Sequence, residues 1–140
     1  MGKFSQRSLD SLKGVHPNLV KVMNEAIKDT PYDFTITEGV RTLARQQQLY
    51  AQGRTTKGAI VTKTDGIKNK SNHQPKSDSY GYAVDLYPFY NGSVQVSDKD
   101  VIPRLKAIAK HIKATGTRLG IEIDAGVDWK FFDAPHFQLK

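Results

Sequence analysis

Four acidic or imidazole side chains, drawn from three separate stretches of the chain, have the chemistry of a hydrolytic metal centre: His73, Asp85, Asp133 and His136. Histidine with aspartate is a ligand set suited to zinc. The chain has no cysteine, so disulfides and thiolate metal sites are excluded and any metal must be held by His, Asp or Glu. Three ligands, His73, Asp85 and His136, leave one position of a tetrahedral ion for water, the catalytic pattern rather than the closed structural one. Zinc brings the pKa of such a water close to neutrality. A carboxylate outside the ligand set must then take the proton and pass it to the leaving amine. Asp133, three residues before His136, is the candidate. A cation is also needed where the carbonyl oxygen gains charge, and Arg41 can supply it. Each residue also has a plainer reading. A loop histidine is ordinarily solvated, and an arginine at a strand-to-helix junction ordinarily makes a surface ion pair worth little.

The elements that must position these groups can be read from periodicity. In Tyr82-Ala83-Val84-Asp85-Leu86-Tyr87 the side chains alternate, so Ala83 and Asp85 share one face while Val84 and Leu86 share the other. Val84 and Leu86 read as the core face, which turns Asp85 away from the core. Ala83 leaves room beside the carboxylate, and Gly81 permits a close backbone approach. The last strand, within residues 133–139, repeats the arrangement: Phe137 and Leu139 face inward, His136 and Gln138 outward. Two strands thus each turn a potential ligand away from their apolar faces.

Around them, residues 17–29 carry an apolar stripe at helical spacing, with Pro17 at the first position. Residues 34–37 alternate and are β-branched, predicting a strand. Thr42 caps a helix over 43–52, with Gly53 past its end. Residues 54–79 have no period and form a long loop, made basic by Lys57, Lys63, Lys68, Lys70 and Lys76; such loops are functional or mobile. Asn91-Gly92 is a strong hairpin signal. Ser97 is expected to cap a helix over 98–118 that stops at Gly120, with His111 beside its stripe, and residues 121–123 read as a short strand.

With 140 residues the chain is expected to be one domain, 1–140, burying about two-thirds of its unfolded surface. A hydrophobic content of 38% and a charged fraction of 25% argue against disorder. The formal charge of +7 favours anionic partners: nucleic acid, an acidic membrane face, or a polymer such as bacterial cell wall. No motif for reading a nucleic-acid groove is present, so nucleic acid is not expected. Residues 1–7 have no apolar signal core and no run reaches membrane-spanning length. The expectation is a soluble product, cytoplasmic when made.

Taken in order, the motifs resemble a known family: zinc-dependent D-alanyl-D-alanine carboxypeptidases and L-alanyl-D-glutamate endopeptidases that cut peptidoglycan stem peptides, small phage endolysins among them. The family pattern is Ser-x-His, then Gly-x-Ala-x-Asp, then an acidic residue shortly before a Pro-His or Trp-His. Here these are Ser71-x-His73, Gly81-x-Ala83-x-Asp85 and Asp133-Ala134-Pro135-His136. Upstream, Gly39-Val40-Arg41-Thr42 with Gln46 and Leu49-Tyr50 resembles another family segment. The resemblance covers residues 32–140. One departure is the spacing after His73: seven residues, 74–80, precede Gly81 where many relatives have two, and the extra ones are expected to form a lobe beside the cleft.

The resemblance implies an α+β fold of the hedgehog/DD-peptidase type, with helices packed on a small antiparallel sheet. It implies one catalytic Zn2+ held by His73, Asp85 and His136, with Asp133 as general base and Arg41 at the scissile carbonyl. Ser71 and Gln46 are implied as substrate-binding residues. The partner is bacterial peptidoglycan, with no stable membrane association and a monomeric chain. The expected activity is that of a phage or prophage endolysin cleaving L-alanyl-D-glutamate. It would be made in the host cytoplasm and act on the wall, in the periplasm, after release through a separate lysis factor. The alternatives are a D-alanyl-D-alanine carboxypeptidase and a non-catalytic zinc-binding module.

Overall fold

The alternating segment around Asp85 becomes the central strand of the molecule. The computed structural model describes residues 2–60, 62, 65–66, 71–130 and 132–140. Strand β1 (Phe34–Glu38), β2 (Ala83–Tyr90), β4 (Ile123–Ala125) and β5 (His136–Leu139) form an antiparallel sheet in the order β1-β2-β5-β4. A two-residue strand β3 (Ser93–Val94) folds back onto the end of β2. Asn91 and Gly92, both at positive φ (55° and 78°), make the turn between them, as a two-residue hairpin requires.

One face of the sheet is covered by two helices. Helix α2 (Pro17–Ala26) and α4 (Val101–Leu119) pack against each other and against the sheet. Val84, Leu86, Ile36 and Phe137 from the strands meet Leu19, Val22, Met23, Leu105, Ile108 and Ile112 from the helices, all fully buried. Each such side chain contributes roughly 1.5–3 kcal/mol through its removal from water. The result is the expected α+β architecture.

The register on the other face decides what meets Asp85. Glu38 lies opposite it on β1 and His136 opposite it on β5. The β1 pairing shifts between Ile36 and Glu38, and the extra residue, Thr37, donates its hydroxyl to the Asp85 carbonyl at 3.3 Å. Such bulges bend a strand and re-aim its side chains. Helix α3 (Leu43–Ala51) then leads away from β1, with the Thr42 hydroxyl accepting from Arg45 N at 3.1 Å as its cap.

Several boundaries differ from the sequence expectation, each for a local reason. Helix α1 (Gln6–Ser11) was not expected. It has no apolar stripe: its inward residue is Ser8, whose hydroxyl accepts from Ile36 N at 3.0 Å, while Leu9 is exposed. Helix α2 stops a turn before residue 29. Helix α4 begins at Val101, not Asp98, and Ser97 does not cap it. Pro103 explains the shift, because proline is tolerated only in the first helical turn and a start at 98 would place it in the second. Residue 121 serves the end of α4 instead of a strand, donating its N–H to Gly116 O at 2.8 Å after the left-handed Gly120 (φ 74°). The strand β2 runs on to Tyr90 and β5 starts only at His136.

Among the described residues of 54–79 there is no helix or strand. Lys63, Lys68 and Lys70 lie outside the described residues. The segment 74–80 closes on itself, with Lys76 N bonded to Tyr80 O at 3.0 Å.

Candidate metal centre and the carboxylate beside it

Three elements deliver the candidate ligands. Asp85 stands on β2 and His136 at the start of β5, directly opposite. His73 comes from the loop before β2, where Gly81 lets the backbones close up: a Cβ at Gly81 would lie 3.0 Å from the His73 carbonyl oxygen. His73 Nε2 is 3.2 Å from His136 Nδ1 and 3.2 Å from Asp85 Oδ1, and His136 Nδ1 is 3.5 Å from Asp85 Oδ1. Each residue therefore offers one atom to a common point.

Among the described residues, these atoms have no positive partner. His73 Nδ1 lies 2.9 Å from the Gly39 carbonyl, an obligate acceptor, so Nδ1 carries the proton and Nε2 presents its lone pair. His136 Nε2 lies 2.8 Å from Gln138 Oε1, which in the same way leaves Nδ1 with a lone pair. Asp85 Oδ1 is buried with no hydrogen-bond partner among the described residues. Two lone pairs and an orphaned carboxylate oxygen thus converge, an arrangement that costs free energy unless a cation joins it.

The acid–base balance points the same way. Burial opposes charge on Asp85, yet the His136 and His73 rings hold its pKa well below the usual carboxylate range. Burial likewise opposes charge on His136, but the Asp85 carboxylate outweighs it and raises the pKa of the ring. The cluster draws in positive charge, as a proton or as a metal ion. The donor set, imidazole nitrogens and a carboxylate oxygen with no sulfur, fits zinc.

Asp133 sits in the turn before β5, with Oδ2 3.8 Å from His136 Nδ1. Burial and the nearby Asp85 charge raise its pKa. Its place depends on Gly126 in the short 3-10 turn Gly126–Asp128: a Cβ there would lie 2.1 Å from the Asp133 carbonyl oxygen. Asp133 N also bonds Gly126 O at 3.0 Å.

Arg41 is buried below Asp85, 7% exposed. Its Nε and Nη2 grip the two oxygens of Glu38 at 2.9 and 3.2 Å. Nη1 donates to Gln46 Oε1 at 2.8 Å and Ser71 Oγ at 3.5 Å, and Nη2 lies 3.6 Å from Asp85 Oδ2. The five guanidinium N–H groups therefore all have acceptors close by. Gln46 was expected at the substrate but is fully buried, its amide holding Arg41 and the Thr62 hydroxyl. Ser71 is half-buried and its hydroxyl accepts from His73 N at 3.2 Å, fixing the turn that carries the histidine.

The two remaining histidines have other work. His16 Nδ1 caps α2 by accepting from Asn18 N at 3.1 Å. His111 Nε2 lies 2.9 Å from Ala26 O and 3.1 Å from Asp29. Residues that sequence reading did not single out also shape the site. Trp129 leans on His136, ring centres 4.9 Å apart at 47°, with its indole N–H on Asp124 Oδ1 at 3.1 Å. Glu38 and Gln138 were visible only as neighbours of candidate residues.

A helical layer on a small antiparallel sheet, with a histidine–aspartate cluster on the opposite face and a carboxylate beside it, is equipped for the chemistry of a hydrolase. The sequence profile of the phage L-alanyl-D-glutamate peptidase family matches residues 1–139. The chain belongs to that family, and it is a peptidase of peptidoglycan. It is 32% identical over 138 residues to the L-alanyl-D-glutamate peptidase of Escherichia phage T5, covering 99% of this chain and 89% of the relative. It is 29% identical to the peptidoglycan L-alanyl-D-glutamate endopeptidase CwlK of Bacillus subtilis, covering 96% of this chain and 81% of the relative. The crystal structure of the Serratia marcescens L-Ala D-Glu endopeptidase ChiX superposes with a TM-score of 0.74 at 29% identity, covering 98% of this chain and 89% of that one. Among the described residues no helix is long and apolar enough to cross a membrane.

Proposed function

We propose that this chain is a zinc-dependent L-alanyl-D-glutamate endopeptidase and serves as a phage or prophage endolysin. The reading rests on one observation, the triangle of lone-pair atoms at 3.2, 3.2 and 3.5 Å. A tetrahedral ion with bonds of about 2.0–2.1 Å needs ligand atoms roughly 3.3 Å apart. His73 Nε2, His136 Nδ1 and Asp85 Oδ1 would hold it. Zinc bound there would supply Lewis acidity, making water a nucleophile near neutral pH and polarising the scissile carbonyl.

The chain's own groups do the rest. Asp133, with its raised pKa, takes the proton from the attacking water and hands it to the departing amine. Arg41 steadies Asp85 and keeps positive charge under the site. The N–H groups whose contacts are longest, those facing Ser71 and Asp85, are the ones that would turn toward a substrate carbonyl. The chain would act as a monomer. The enzyme would be made in the host cytoplasm and reach the wall through a separate lysis factor.

The test is digestion of purified peptidoglycan with and without a zinc chelator, read by mass spectrometry. The expected products carry a new D-glutamate amino terminus, and the chelator abolishes them. Release of free alanine from pentapeptide stems would instead establish D-alanyl-D-alanine carboxypeptidase activity. Zinc uptake without any product would establish a non-catalytic module.

A further inference from the structure

Each candidate ligand histidine presents its lone pair because its other nitrogen is committed elsewhere. The two commitments differ in kind. For His73 the acceptor is the Gly39 backbone carbonyl, 2.9 Å away, and Arg41 N returns a bond to His73 O at 2.7 Å. For His136 the acceptor is a side chain, Gln138 Oε1, at 2.8 Å. The same oxygen accepts from Asn72 Nδ2, also at 2.8 Å. Asn72 is the residue before His73. One amide oxygen therefore joins the strand bearing one histidine to the loop bearing the other, and both its lone pairs are used.

The backbone repeats the connection. Tyr82 N bonds Asn72 O at 2.7 Å, and Leu139 N bonds Tyr82 O at 3.0 Å. Asn72 and Gln138 are half-buried, and neither is among the atoms that converge on the common point.

We propose that Asn72 and Gln138 form a positioning bridge that fixes the tautomer and ring orientation of His136 and locks the His73 loop to β5, so that both lone pairs are aimed before an ion arrives. The inference rests on the reading of the cluster as a zinc site. An acceptor on the outer nitrogen of a ligating histidine orients the ring and makes its ligand nitrogen more basic, and its loss typically costs 10–100-fold in metal affinity. Without Gln138, the His136 proton is free to move to Nδ1, where it blocks the ligand position. Without Asn72, the amide oxygen is free to turn away from His136.

The test is zinc affinity of the full chain, measured by competition with a chromophoric chelator, for wild type, Gln138→Leu, Gln138→Glu and Asn72→Ala. The melting temperature of each metal-free protein is measured alongside. Gln138→Leu is expected to weaken zinc binding about 10–100-fold. Gln138→Glu restores affinity because a carboxylate oxygen accepts from both donors, and Asn72→Ala weakens binding by a smaller factor. Metal-free melting temperatures stay together across the set, which separates positioning from general loosening. Wild-type affinity in Gln138→Leu, or equal weakening in Gln138→Leu and Gln138→Glu, overturns the bridge. If Gln138→Leu does not fold, Asn72→Ala decides, and wild-type affinity there overturns it. Absence of zinc binding by the wild type is a different result: it removes the metal reading itself, and the bridge with it.

Discussion

The two faces of β2 and β5 are built on opposite principles. On the helix side, Val84, Leu86 and Phe137 are fully buried among apolar neighbours, and every contact there is interchangeable within limits of volume. On the other side, Asp85 and His136 stand opposite each other, with His73, Asp133, Arg41 and Glu38 around them. There the identity of each atom matters, because a donor exchanged for an acceptor reverses the sign of its interaction. The apolar face holds the fold together. The polar face leaves a buried oxygen without a partner among the described residues, a local cost that the rest of the molecule offsets and that a bound cation would remove.

The sharpest break of this contrast is at Asp133. Asp133→Ala is expected to lower kcat by about 10²–10⁴-fold while zinc content and melting temperature stay near wild type. A variant that kept full lytic activity would remove the proton-transfer role. The mirror experiment is Leu86→Ala, one residue from Asp85 on the other face. It should destabilise the protein by about 2–5 kcal/mol in chemical denaturation, while folded protein keeps its turnover. A collapse of kcat in fully folded Leu86→Ala would mean that the faces are not separable. Zinc should next be visible as stability: at a free concentration 100 times its Kd it adds about 2.7 kcal/mol. That increment should vanish in Asp85→Asn, and a shift of equal size in the variant would show the ion binding elsewhere. The smallest effect is on the helix after Arg41. Thr42→Ala removes the cap of α3 and should cost about 1 kcal/mol, with little change in activity at temperatures well below melting.

The apolar face was the more legible in sequence. Alternation placed Val84 and Leu86 inward, and helical spacing found α2 and α4, because hydrophobic burial leaves a periodic trace. Where burial is polar the trace fails. Helix α1 turns a serine toward the sheet and so went unseen, and the start of α4 follows Pro103 more than the Ser97 signal. Of the site, the residues that offer side chains at the cleft were recognisable by type and motif. Their supports were legible only in part, Ser71 and Gln46 through the family resemblance. The Gly39 carbonyl that fixes His73 belongs to a backbone any residue shares. Gln46 is marked by the resemblance as a substrate contact, while its burial against a guanidinium has no signal in sequence. Gln138 is marked only by sharing the outward face of His136. Hydrogen-bond partners far apart in sequence have no period, so only the assembled chain shows them.

The chain contains one tryptophan, and its indole rests against His136. Emission excited to the red of tyrosine absorption therefore originates from a single spot, within touching distance of a candidate ligand ring. Whatever settles on that imidazole alters the surroundings of the fluorophore. The fold carries its own optical gauge, so filling and emptying of the cluster can be followed in unlabelled protein.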